Sequence, residues 1–238
     1  MKENSTALAA ARCLLGRSLV WLLIWLSGAG LALWLKSSFT VVALVVVGVW
    51  ILFSAFTFYF FRDPEPRVPT APEAVVAPAH GLVDCVDETT ELEFLGGPCR
   101  RISIFLSVLD VHVQNAPVAG KIAFVKHRSG QFLSALKTES AEFNESVLIG
   151  IESLEQPGER MAVRQIAGLI ARRIVSWVGV GDTVARGQRL GLIQFGSRCD
   201  LFLPLTAQIQ VKPGDRVVGG ETVVATRGSA KPVLLYNP

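Results

Sequence analysis

Few residues in this chain of 238 are of types that do chemistry near neutral pH. There are three histidines (His80, His112, His127), four cysteines (Cys13, Cys85, Cys99, Cys199) and a glycine–serine pair, Gly196-Ser197, between two apolar runs. Histidine is the side chain best suited to carry protons at this pH. His112 lies in Val108–Pro117, VLDVHVQNAP, where Val111 and Val113 alternate with His112 and Gln114 at the period of a strand. A lone histidine there either packs or moves a proton. His127 stands between Lys126 and Arg128 in a polar turn. The cysteines show no C-x-x-C spacing, and three histidines make no zinc-ligand pattern, so no metal site and no separate cofactor-binding site is expected. Free thiols in a reducing compartment are the default reading.

The elements that must position these groups are mostly strands. Leu190–Pro204, LGLIQFGSRCDLFLP, reads as two strands meeting at a tight glycine turn, with Ser197 as a capping residue. After the serine, Cys199, Leu201 and Leu203 face one way and Asp200 and Phe202 the other. Strand-like pieces precede it at Gly81–Val86, Thr90–Phe94, Arg101–Leu106, Ile149–Leu154 and Met161–Ile170, and Ile166–Trp177 suits an extension of the last. Gln131–Glu145 is the one clear helix outside the N-terminal region, with Leu133, Leu136 and Phe143 among polar residues. Gly181-Asp182-Thr183-Val184-Ala185-Arg186-Gly187 recurs 33 residues later as Gly214-Asp215-Arg216-Val217-Val218-Gly219-Gly220. That hairpin signature is similar to the turns of biotinyl/lipoyl-type sandwich barrels, in architecture only, because no lysine between methionines is present to carry a cofactor. The expected class is α+β, mainly β: a barrel-sandwich-like body with one or two helices over residues 79–238.

The N-terminal quarter is different. Half the chain is hydrophobic, with mean hydropathy +0.43. Ser18–Leu35 is an uncharged run that spans about 27 Å as a helix, and Phe39–Phe61 spans about 34 Å, with Lys36-Ser37-Ser38 between them. No A-x-A-like exit follows the first run, which argues against a cleaved signal. Residues 1–61 therefore read as a two-helix transmembrane hairpin, followed by a proline-rich linker over 62–78. Arg12 and Arg17 before the pair and Arg62 and Arg67 after it put both ends, and the body, on the cytoplasmic side of the cell (inner) membrane. Residues 1–61 carry net +3 (Lys2, Arg12, Arg17 and Lys36 against Glu3), so the other 177 balance at 19 basic and 19 acidic, and no nucleic-acid partner is expected.

Six stretches in order resemble the phosphatidylserine decarboxylase family in its short bacterial and archaeal form. They are Phe60-Phe61-Arg62-Asp63-Pro64; Ala77-Pro78-Ala79-His80-Gly81; Phe105-Leu106-Ser107 with Asp110-Val111-His112-Val113 through Pro117; Gly130-Gln131-Phe132-Leu133 with Ala135; Ile166–Ile174; and Gly191-Leu192-Ile193-Gln194-Phe195-Gly196-Ser197-Arg198 with Asp200. The likeness runs from residue 60 to 225.

The resemblance implies a self-processing enzyme. The Ser197 hydroxyl attacks the Gly196 carbonyl, the ester eliminates, and the chain separates at 196/197 into a β chain (1–196) and an α chain (197–238) that begins with a pyruvoyl group, the covalent cofactor. Glycine permits the strained geometry that this requires. The pyruvoyl carbonyl forms a Schiff base with the amine of phosphatidylserine in the membrane, acts as an electron sink as CO₂ leaves, and phosphatidylethanolamine is released. His112 matches the family's D-V-H-V segment and is the expected proton carrier. At His80 the family usually has an aspartate that assists the histidine; a histidine supplies no fixed negative charge, so Asp84, Asp110 or Asp200 is expected to substitute. Phe143-Asn144-Glu145-Ser146 is also less charged than the family's version. The resemblance leaves a homodimer open. The alternative readings are a processing-deficient, decarboxylase-like lipid-binding protein, which His80 favours, and a membrane-anchored barrel acting as an adaptor, which the G-D-x-V repeat suggests.

Overall fold

Apolar helices come first in the chain and short alternating strands after them. The computed structural model describes residues 6–34, 40–133, 143–168, 173–194 and 197–227. The chain forms two units, Met1–Pro64 and Glu65–Pro238. The proline-rich stretch 62–78 thus belongs largely to the second unit, and Ala74–Val76 within it is a buried strand.

The first unit holds helices α1 (Thr6–Trp34) and α2 (Thr40–Phe60). α1 begins well before the expected Ser18, because Thr6–Arg17 is rich in Ala, Leu and Arg, all good helix formers. The Trp50 indole donates to Ser18 Oγ at 3.3 Å, tying the two helices together. Within α1, Ala11–Gly28 is long and apolar enough to cross a membrane, and only 11% of it is buried. It is the one such span among the described residues, since the apolar part of α2, Leu44–Phe60, is shorter.

The second unit is built from fourteen strands: β1 (Ala74–Val76), β2 (Gly81–Glu91), β3 (Gly97–Leu106), β4 (Val113–Asn115), β5 (Gly120–Arg128), β6 (Ser146–Ser153), β7 (Arg160–Ala167), β8 (Ile174–Ser176), β9 (Thr183–Val184), β10 (Arg189–Ile193), β11 (Ser197–Leu203), β12 (Gln208–Ile209), β13 (Arg216–Val217) and β14 (Val223–Thr226). Eight form one sheet in the order β13-β2-β3-β11-β7-β6-β5-β9, and two three-stranded sheets, β1-β14-β12 and β4-β10-β8, complete the body. Ile102, Ile104, Ile149, Ile151, Val163 and Leu201 of the large sheet share one core with Val75, Leu190, Val224 and Ala225 of the small ones.

The large sheet reads the same from both ends. Half A is β1–β3 with β11–β14; half B is β4–β10, inserted between β3 and β11. Ala77-Pro78-Ala79-His80-Gly81 of half A recurs 39 residues on as Ala116-Pro117-Val118-Ala119-Gly120. Val76 N donates to Pro117 O (3.0 Å) and Asn115 N to Pro78 O (2.8 Å), a reciprocal pair across the pseudo-two-fold axis. The two G-D-x-V turns are also equivalent. Gly181, Gly187, Gly214 and Gly220 all have φ between 75° and 100°, which glycine adopts without strain. Gly181 N bonds Ile122 O as Gly214 N bonds Val83 O, each at 2.8 Å. The sequence echo is therefore a duplicated fold.

Three strand expectations are corrected, and one helix expectation falls mostly outside the described residues. Leu190–Pro204 is not a hairpin: β10 lies in a small sheet, and β11 lies between β3 and β7 of the large one. The chain changes layers here because half B is closing and half A must resume, which no local glycine signal reports. Phe195 and Gly196 lie outside the described residues. The helix over Gln131–Glu145 falls mostly on 134–142, also outside them, but its ends are bridge residues, with Gln131 N donating to Phe143 O (2.7 Å) and Glu145 N to Gln131 O (3.0 Å). The strand expected at Thr90–Phe94 stops at Glu91, whose carboxylate accepts from the amides of Glu93, Phe94 and Leu95 and so turns the chain. Likewise β7 ends at Ala167 and β8 starts at Ile174, so Ile166–Trp177 is not one strand.

Candidate active site

The alternation of β11 sends Ser197, Cys199, Leu201 and Leu203 to one face of the sheet and Arg198, Asp200 and Phe202 to the other. Both faces are covered, and the whole strand is buried. Ser197 opens the strand, opposite Leu106 of β3 and Ala167 of β7. Its Oγ is buried and has no hydrogen-bond partner among the described residues. An unmatched buried hydroxyl costs about 1–3 kcal/mol, so packing alone does not account for a serine here.

β4 holds His112 next to the strand leading into Gly196-Ser197. Leu192 of β10 is opposite Val113, and Ile193 N donates to His112 O at 3.2 Å. The imidazole is completely buried. Its Nδ1 sits 2.9 Å from the backbone carbonyl oxygen of Asp110. A carbonyl only accepts, so Nδ1 carries the hydrogen and Nε2 is the basic nitrogen of the neutral ring. Gln114 Nε2 donates to the His112 carbonyl (2.7 Å), and Gln165 Nε2 of β7 donates to Gln114 Oε1 (2.8 Å), so two buried amides hold this segment against the sheet.

None of the three carboxylates expected to take the place of aspartate at position 80 makes the described contact to this ring. Asp110 Oδ2 accepts from Ser107 N and Oγ (2.9 and 2.7 Å), closing the turn after β3, and Oδ1 lies 3.2 Å from Arg216. Asp84 binds Arg198 with both oxygens (2.8 and 2.5 Å). Asp200 accepts from the Ser103 hydroxyl, which itself accepts from Arg198 Nη1 at 2.7 Å. Burial pushes the Asp200 carboxyl above the usual carboxylate range; the Ser103 bond and the charges of Arg101, Arg198 and Arg164 act against that.

Arg198, which carried no expected role, is the largest fully buried side chain in the protein's described part. A β-bulge in β2 aims Asp84 at it, since the register skips Asp84 between Val83 and Cys85. The same bulge recurs in β5 at Ala123, its counterpart in half B. A charged pair at alternate positions, Arg198 and Asp200, inside an apolar strand was the available signal. Asn144, singled out in sequence only within a less charged stretch, makes specific bonds: its Nδ2 donates to Ala167 O (2.8 Å), opposite Ser197, and to Leu133 O (2.9 Å).

His112 is tied to Ile193, four residues before Ser197 in the chain. His80, half-buried, is placed with Asn115 around Gly219, where an added Cβ would come within 2.9 Å of Asn115 Oδ1 and 3.1 Å of His80 Cδ2. His127 is exposed on β5, 3.0 Å from Glu145.

Known proteins share much of this sequence. The sequence pattern of the phosphatidylserine decarboxylase family matches residues 53–225. A phosphatidylserine decarboxylase proenzyme of Desulfotalea psychrophila is 44% identical over 180 residues, covering 76% of this chain and 83% of that one. Its counterpart in Symbiobacterium thermophilum is 47% identical over 169 residues (71% and 78%), and that of Nocardia farcinica 49% over 170 (70% and 71%).

Proposed function

This chain belongs to the phosphatidylserine decarboxylase family, and on that premise we propose that it makes a pyruvoyl group from its own Ser197 and uses it on phosphatidylserine in the membrane. It is a carbon–carbon lyase, releasing CO₂ from phosphatidylserine to leave phosphatidylethanolamine. The observation that carries the finer reading is the buried, unpartnered Ser197 hydroxyl at the head of β11, with His112 fixed along the strand that leads to it.

In the maturation step, Ser197 Oγ attacks the Gly196 carbonyl carbon while His112 Nε2 takes the hydroxyl proton. The Gly196–Ser197 amide becomes an ester. Loss of the Ser197 Cα proton expels the Gly196 carboxylate; the resulting dehydroalanine takes up water, releases ammonia and leaves the pyruvoyl terminus of the 197–238 chain. β11 keeps its pairing with β3 and β7 throughout, so the two chains stay associated. A pyruvoyl group at residue 197 would supply the electron sink for decarboxylation. His112 Nε2 then returns a proton to the carbon that has lost its carboxylate. The Asp110 carbonyl does the orienting that an aspartate at position 80 would otherwise do, which supports an active enzyme over a processing-deficient lipid-binding one. α1 and α2 form the membrane anchor, with the body on the cytoplasmic side.

Intact mass under denaturing conditions tests this reading. The expected result is a 42-residue chain, 197–238, blocked at its N-terminus and reactive with a carbonyl reagent. A single 25.7 kDa species that persists on incubation with phosphatidylserine membranes would favour the processing-deficient alternative.

A further inference from the structure

Self-cleavage turns residue 197 from a mid-chain position into the end of a chain, and chain ends fray unless something ties them down. The tie lies one residue further on. Arg198 is directed to the face of the large sheet opposite Ser197 and is fully buried. Asp84 takes its guanidinium with both oxygens (2.8 and 2.5 Å), and Ser103 Oγ accepts from its Nη1 at 2.7 Å. The Ser103 hydroxyl in turn donates to Asp200. Asp84 and Ser103 belong to the 1–196 part of the sequence, Arg198 and Asp200 to the 197–238 part. Each of these bonds therefore crosses the cut. A buried ion pair is a poor source of net stability, because both charges lose water. What a two-pronged carboxylate–guanidinium pair does supply is a fixed position.

Half B has the same strands without the clamp. Arg198 is opposite Phe105, which is opposite Leu82, the residue after Gly81. Arg160 is opposite Glu152, which is opposite Lys121, the residue after Gly120. Arg160 is therefore the counterpart of Arg198. By the same register, Ala123, Gly150 and Ala162 stand where Asp84, Ser103 and Asp200 stand in half A. None of those three has a side chain that bonds a guanidinium. Arg160 is exposed instead, 4.1 Å over the Phe94 ring and 3.8 Å from Glu152. In half B the strands β6 and β7 follow one another directly, so no chain end has to be held there. The clamp is built only in the half that contains Gly196-Ser197.

We propose that Arg198 is a positioning residue of the mature enzyme: with Asp84 and Ser103 it holds the new N-terminus of the 197–238 chain in β11 after the bond at 196/197 has opened. Residue 197 then keeps its place opposite Leu106 and Ala167. Before the cut, the chain continues on both sides of residue 197 and the clamp matters less. The inference rests on the proposed self-cleavage at Ser197, and it adds what keeps the product of that step in place.

Arg198→Lys in the full-length protein tests it, since lysine keeps the charge and loses the two-pronged geometry. Hydrogen exchange over residues 198–203 is followed by mass spectrometry in self-cleaved protein and in uncleavable Ser197→Ala protein, each with and without Arg198→Lys. In cleaved protein the substitution is expected to speed exchange about tenfold, and in Ser197→Ala protein about twofold or less. A pair that only stabilises the fold gives equal factors in both. Equal factors, or no acceleration in cleaved protein, would overturn the proposal. Turnover of phosphatidylserine should fall about tenfold with KM within about twofold, and self-cleavage should slow less than turnover does. A variant that folds but fails to cleave would put Arg198 in the maturation step and sink the idea. Where lysine prevents folding, Asp84→Asn serves as the second variant, with the same ordering of effects expected. An uncleaved wild type would remove the proposed function and the clamp together; a cleaved wild type with equal exchange factors would remove the clamp alone.

Discussion

Half A and half B of the body follow one chain path and differ at one connection. In half B, β6 and β7 are joined directly by 154–159, a tight hairpin in which Gly158 has φ 84° and Ser153 N bonds Glu159 O at 2.9 Å. In half A the equivalent strands, β3 and β11, are not joined at all: all of half B lies between Leu106 and Ser197. The chain that begins β11 arrives from another sheet, and the Gly196-Ser197 bond sits at that crossing. A cut there leaves every strand of both halves paired, because β11 has a neighbour on each side. On the proposed reading, the symmetric scaffold carries its single reactive peptide where one half interrupts the other. The bulge shows the same division of labour, with Asp84 clamping the residue after the serine and Ala123 doing nothing comparable in half B.

The largest effects should be confined to the crossing. Ser197→Ala is expected to abolish self-cleavage completely, leaving one chain by intact mass, while Ser153→Ala in the matching hairpin leaves it unchanged. Next, His112→Ala should slow cleavage by about 10²–10⁴-fold in a time course of fragment appearance. His127→Ala should stay within about twofold, as for an exposed residue outside the site. Asp84→Asn leaves the buried Arg198 guanidinium without its anion; we expect a loss of about 3 kcal/mol by urea unfolding of the uncleavable Ser197→Ala protein.

Paired substitutions at equivalent glycines sharpen the comparison further. A Cβ at Gly81 would stand 2.2 Å from Phe105 O, on a φ of 151°. At Gly120 it would stand 2.4 Å from Ile151 Cγ2 and 2.6 Å from Glu152 O. Each alanine variant should lose about 1–3 kcal/mol, Gly81→Ala the more, because there both the backbone angle and a rigid carbonyl oppose it. The smallest pair is Asp182→Ala and Asp215→Ala. These carboxylates accept from Gly179 N (2.8 Å) and Lys212 N (2.9 Å) in matching exposed turns, so both should cost about 1 kcal/mol or less, and equally. Unequal losses would show that the two turns differ in ways their geometry does not.

Much of the site was legible from residue order. The alternation around Val111 and Val113 read as a strand, and β4 begins at Val113, one residue after His112; the period after Ser197 put Cys199, Leu201 and Leu203 on one face, which is the core face, and the G-D-x-V echo announced a repeated turn. The apolar helices were equally plain, because their signal is carried by composition along a continuous run. Such features depend on neighbours within a few residues, and a linear pattern records those. The pairing of strands does not: β11 meets β3 and β7, which start about a hundred and about forty residues earlier, and nothing local distinguishes that from a hairpin with β10. For the same reason, only the tertiary structure decided that a backbone carbonyl, Asp110 O, sets the His112 tautomer, and that a bulge in β2 delivers Asp84 to Arg198. Residue types determined which groups were available for chemistry; long-range pairing and burial decided which of them meet.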